Sequence, residues 1–176
     1  MNTKYKIVAE QDGKEVYSAE LGHSMLSTLA NGYTWREPPE KELINLLSQH
    51  EAWQVRQAMA SQDDLEDEVL ERLAKDSSWQ VLDTLIGNAS FQSWADLDLV
   101  LSLIEKSPHL ASDISNNFES FSNSSDLVEA LAKHPDPEVR ANVAGNRATH
   151  KKILKILALD SDAAVRKSAQ QTLDDL

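Results

Sequence analysis

Residues 131–146, LAKHPDPEVRANVAGN, read as the end of one helix, a turn stiffened by Pro135 and Pro137, and a short second helix. Val139 and Val143 are four residues apart, so both fall on one face of that second helix. Asp136 stands where an N-cap belongs and Pro137 at the first helical position. Gly145-Asn146 is placed to close the helix. Arg140, one turn beyond Asp136, reads as its (i, i+4) ion-pair partner, and Arg166 stands in the same relation to Asp162.

The template recurs. LINLLSQHEAWQVRQAMASQ, VLERLAKDSSWQVLDTLIGN, VLSLIEKSPHLASDISNN, LVEALAKHPDPEVRANVAGN and ILKILALDSDAAVRKSAQQT align, with one residue deleted from the turn of the third. The first helices then share two apolar columns. One is Ile44, Leu70, Val100, Val128 and Leu154; the other is Leu47, Leu73, Leu103, Leu131 and Leu157, with Leu43, Val69, Leu99, Leu127 and Ile153 adjoining them as a further column. The second helices contribute Val55, Val81, Leu110, Val139 and Val165, then Met59, Leu85, Ile114, Val143 and Ala169. Neither short helix of a pair can bury such a face alone, and stacked pairs can. The expected fold is mostly α, a short α-solenoid of about five two-helix repeats occupying residues 37–176.

Residues 1–36 are expected to form a cap packed into the same continuous domain. Tyr5, Ile7 and Ala9 alternate, Asp12-Gly13 is a hairpin turn signal, and Val16-Tyr17 begin a return strand. A lone hairpin is marginal in water, so it should cover the open apolar end of the stack. Met25 and Leu29, followed by Asn31-Gly32, read as a half repeat. A linker, Tyr33–Pro39, follows. Ser78, Asp136 and Asp162 are the expected N-caps of second helices.

LAKHPDPEVRANVAGN resembles the leucine-rich repeat variant family, whose units carry an LA-x-D-P-D-P-x-V-R-x-A-V-A-x-N-type pattern. More broadly the array, residues 43–172, is similar to HEAT-like helical repeats. The resemblance implies a scaffold for binding and leaves the ligand unnamed. The family's prototype is associated with a cysteine-bound iron–sulfur cluster; this chain has no cysteine, so that property does not carry over.

The absence of cysteine excludes disulfides, thiolate metal sites and cysteine nucleophiles. No apolar run approaches the roughly 20 residues of a membrane span, and the N-terminus is not a secretory signal, so a cytoplasmic protein is expected. Seventeen basic and 29 acidic residues give a net charge of −12, which argues against general binding to nucleic acid or membrane. It suits a basic protein partner; the alternative is a solvated acidic surface with no partner. His23, His50, His109, His134 and His150 show no metal-ligand spacing, and there is no Gly-rich phosphate loop. No catalytic residue, metal or cofactor is expected. His50, His109 and His134 fall near inter-helix turns, where they can cap or pack.

Function is expected where copies deviate from the template. Trp53 and Trp79 fill the slot that Pro137 and Ala163 take later, and tryptophan is enriched among interface hot spots. Phe91 and Trp94, then Phe118 and Phe121, lie on two long central connections, and insertions in repeat arrays often mark the binding side. For both groups the alternative is packing over gaps between repeats. Asp63, Asp64, Asp67 and Glu68 belong to the densest acidic cluster, suited to steering a basic partner or to serving a helix dipole. Arg140, Arg147, Lys151, Lys152, Lys155, Arg166 and Lys167 form the opposite cluster. Together these features point to a non-enzymatic protein-binding module, in its most concrete form a bacterial immunity protein that neutralises a basic toxin domain. The alternatives are a HEAT-like DNA-binding or DNA-glycosylase-type protein and a constitutive assembly adaptor.

Overall fold

A computed structural model describes residues 4–32 and 38–176. Residues 33–37 of the expected linker lie outside that range, and Pro38-Pro39 open a helix, where proline's missing N–H costs nothing. The described chain is mostly helical, with one two-stranded antiparallel hairpin. None of its helices is long and apolar enough to cross a membrane. It divides into two compact units, residues 1–88 and 89–176.

The first unit begins with β1 (Lys6–Gln11) and β2 (Lys14–Glu20). Asp12 and Gly13 both have positive φ, 52° and 70°, the paired left-handed turn that matches strand twist. Then come α1 (His23–Gly32), α2 (Pro38–Leu47), α3 (Trp53–Ala60), α4 (Asp67–Ala74) and α5 (Trp79–Ile86). Within this unit α3 packs between α1 and α5. The second unit holds α6 (Ala89–Trp94), α7 (Leu97–Lys106), α8 (Pro108–Asn116), α9 (Ser124–Leu131), α10 (Pro137–Gly145), α11 (Lys151–Leu157) and α12 (Ala163–Asp174). There α10 packs between α8 and α12.

Every residue of four of the columns is buried, from Ile44 to Ala169, whereas in the fifth Val69, Leu127 and Ile153 are buried and Leu43 and Leu99 only half-buried. The expected helix pairs are α2/α3, α4/α5, α7/α8, α9/α10 and α11/α12. The deletion in the third has a local cause: α7 runs on to Lys106, and Ser107 alone both ends it and caps α8.

Two N-terminal expectations are corrected. Among the described side chains of α1 Leu26 is buried, while Met25 and Leu29 are exposed. A four-residue spacing marks a stripe without saying which stripe meets α3. The hairpin does not cover an apolar end either, since Ile7, Val8, Val16 and Tyr17 are all exposed. It touches the helices at its base, where the rings of Tyr5 and His50 lie 5.7 Å apart.

Asparagines tie successive second helices together. Asn88, buried after α5, donates from Nδ2 to the Ala60 and Gln62 carbonyls at 3.0 and 2.7 Å. Asn146 after α10 repeats the device on the Asn116 carbonyl at 2.9 Å. Asn88→Ala should therefore cost about 2 kcal/mol, because buried carbonyls lose their donor. Urea unfolding checks this, and a loss within error would mean the bonds are dispensable.

Candidate functional site

The turns inside the five helix pairs share one device. A side chain at the turn accepts a hydrogen bond from the backbone N–H two residues on. His50 Nδ1 accepts from Ala52 and His134 Nδ1 from Asp136. Asp76 accepts from Ser78, Ser107 from His109, and Asp160 from Asp162. The expected cap at Ser78 is thus corrected: its hydroxyl donates to Gln80 Oε1, and the carboxylate two residues earlier does the capping. Asp136 and Asp162 cap as expected, accepting from Glu138 and from Ala164 and Val165.

An arginine fork joins two turns in each unit. Arg56 Nη1 donates to the His50 and Glu51 carbonyls of its own turn. Its Nε and Nη2 grip Asp76 of the next turn at 2.6 and 2.9 Å. Arg140 repeats this on the His134 and Pro135 carbonyls and on Asp160, at 2.8 and 2.9 Å. The expected Asp136/Arg140 pair is therefore replaced by a bidentate pair to the following helix pair, a stronger geometry. Arg166 likewise donates to the Asp160 and Ser161 carbonyls. Arg140's hydrogen bonds hold the Asp160 carboxyl down at about 2 against the opposing effect of burial. Burial pushes Asp76 up, but Arg56 and the Ser78 N–H together outweigh it and hold it below its ordinary value.

Within the first unit these turns form an aromatic edge. Trp53 and Trp79 are the first residues of α3 and α5, which pack together. Trp53 is half-buried, whereas Trp79 is 52% exposed. Tyr5 joins them through His50, whose carbonyl is held by Arg56. Burial raises the Tyr5 phenol above its ordinary range. In the sequence Tyr5 is legible only as a strand residue, at the base of the alternating strand.

The phenylalanines are corrected as anchors. Phe91, Phe118 and Phe121 are 0–3% exposed and belong to the core of the second unit. The two connections that carry them are joined: Ser122 N–H donates to the Gln92 carbonyl, and Asn123 Nδ2 to that of Ala95. Trp94 is half-buried with its ring 6.1 Å from that of Phe91.

Asp63, Asp64, Asp67 and Glu68 are exposed around the buried Leu65, the last two in the first turn of α4. Asp67 and Glu68 open α4, whereas Trp79 opens α5. The tryptophans and the acids are two separate patches. In the basic cluster, Arg140 is neutralised by Asp160 and Arg147 pairs with Asp175 at 3.0 Å. A polar depression on α8 and α10 is lined by Asn116, Glu119, Asn142, Asn146 and Arg147.

Comparison with protein-family models finds no match, and comparisons with curated proteins and with solved structures find none either.

Proposed function

We propose that this chain is a non-enzymatic helical-repeat module of the α-solenoid kind that binds another, basic protein through the aromatic turn edge of its first unit. The observation that carries this reading is Trp79: a large aromatic, 52% exposed, on a turn fixed by the Arg56–Asp76 fork. A rigid, part-exposed tryptophan is the usual raw material of an interface hot spot. The repeated fork supports the repeat reading. It also accounts for the lowered carboxyls of Asp76 and Asp160 as structural ties, with no catalytic role required. The acidic patch from Asp63 to Glu68 would steer a basic partner, and the tryptophan edge would hold it. In its most concrete form the module is an immunity protein whose stoichiometric binding silences a basic toxin.

Trp79→Ala tests the reading directly. Capture from the source cell by the wild-type protein should return a basic partner whose association slows as salt rises. The variant should bind that partner about 30-fold more weakly, the effect of losing about 2 kcal/mol at a hot spot. Its unfolding free energy should change by no more than about 0.5 kcal/mol. Undiminished binding by the variant, or duplex DNA as the captured species, would remove the proposal.

A further inference from the structure

The β1 strand forms one edge of the hairpin. Among the described residues β1 has one strand neighbour, β2, and a two-stranded sheet is marginal alone. The Leu21 N–H donates to the Tyr5 carbonyl at 2.8 Å, and the register keeps Tyr5, Ile7 and Ala9 in step with Leu21, Ala19 and Tyr17. In an antiparallel ladder such residues alternate with ones whose N–H and C=O point away. Lys6, Val8 and Glu10 therefore present their backbone groups on the outer edge. The register shift falls between Ala9 and Glu10, so the extra residue, Val16, is on β2. A bulge bends the strand that carries it, which leaves β1 as the regular edge.

The outer edge is self-complementary about Val8. If two copies of β1 run antiparallel with Val8 opposite Val8, each Lys6 meets the Glu10 of the other copy. Lys4 then falls opposite Asp12, and Ile7 opposite Ala9. Lys6, Val8 and Glu10 carry the outward backbone groups, so the ladder bonds form between them. Lys6, Ile7, Val8, Ala9 and Glu10 are exposed, and the hairpin's own ion pair, at 3.0 Å, joins Lys4 to Glu20 and leaves the Lys6 and Glu10 side chains to the outer edge.

We infer that the chain forms a two-fold symmetric dimer by joining two copies of β1 edge to edge into a four-stranded antiparallel sheet centred on Val8. The interface is isologous: the same edge is used by both copies, so assembly closes at two. Charge complementarity favours this register, since a slide of two residues loses both Lys6–Glu10 pairs and a slide of four sets Lys6 opposite Lys6 or Glu10 opposite Glu10.

Sedimentation velocity over a concentration series on the full chain tests this. The wild-type protein should show a monomer–dimer equilibrium. Glu10→Lys places like charges opposite each other twice and should weaken dimerisation about tenfold. Lys6→Glu should do the same, although it also faces Glu20 across the hairpin. An equimolar mixture of the two variants should recover the dimer, because every cross-copy pair is again opposite in sign, and so should the double variant. Val8→Pro removes an outward N–H that β2 does not use, and should give a monomer with an unchanged helical melt. A wild-type monomer at every concentration would overturn the inference. So would a dimer indifferent to these substitutions, or a mixture that does not recover.

Discussion

Phe91→Ala is expected to lower the free energy of unfolding by about 3–4 kcal/mol, the range for truncating a fully buried aromatic. Phe91 has no solvent exposure and sits on the short helix α6, which packing must hold, since so short a helix has little stability of its own. Two hydrogen bonds draw the 118–123 connection onto α6, at Gln92 and Ala95, and so close the space around the ring. Removing the ring leaves a void that neither the half-buried Trp94 nor the backbone can fill without breaking those bonds. Urea unfolding should show a lower midpoint with an unchanged slope, because the surface exposed on unfolding hardly changes. Partner binding, measured well below the melting range, should stay as in the wild type. The opposite pattern, stability kept and binding lost, would return Phe91 to the role of an anchor.

The contrast with Trp79 shows what a sequence of this kind reveals. Apolar period and register placed every residue of four of the columns inside, because burial of a periodic stripe is a local consequence of spacing. The hairpin turn was equally legible, since Asp12-Gly13 supplies the positive φ that the turn needs. Exposure of an aromatic is a different matter. Phe91, Phe118 and Trp79 all sit off the template, and only tertiary closure separates plug from edge. The Met25/Leu29 stripe failed for a related reason: a four-residue spacing is satisfied by more than one face, and α3 selected Leu26. Arg140 is the least legible of these residues. Its neighbour Asp136 is four residues away, but that carboxylate is committed to the Glu138 N–H, while the fork reaches Asp160 twenty residues on. Only the matching spacing from Arg56 to Asp76 could have signalled the link, and only to a comparison of arginine-to-aspartate separations across units.

Asp160→Ala is expected to cost about 3 kcal/mol at neutral pH. The loss leaves the Arg140 guanidinium, 13% exposed, without its bidentate partner, and an uncompensated near-buried charge is what makes such a break expensive. It also frees the Asp162 N–H that Asp160 accepts. The same group predicts a pH dependence. Its pKa is lowered on folding from 3.8 to about 2, so the unfolded chain takes up the proton first as pH falls. The stabilisation from the pair is therefore complete above about pH 4 and is lost as the pH falls toward 2, amounting to about 2 kcal/mol over that window. Asp76 adds a contribution of the same sign, since it too is held below its ordinary value. Unfolding free energies of wild type and Asp160→Ala, measured from pH 5 to pH 2, should converge as the pH drops. Arg140→Ala combined with Asp160→Ala should cost less than the sum of the two single changes, the signature of groups that act on each other. A gap between wild type and variant that stays constant across this range would show that the carboxylate contributes packing and capping alone, and the fork would lose its role as the electrostatic tie between successive helix pairs.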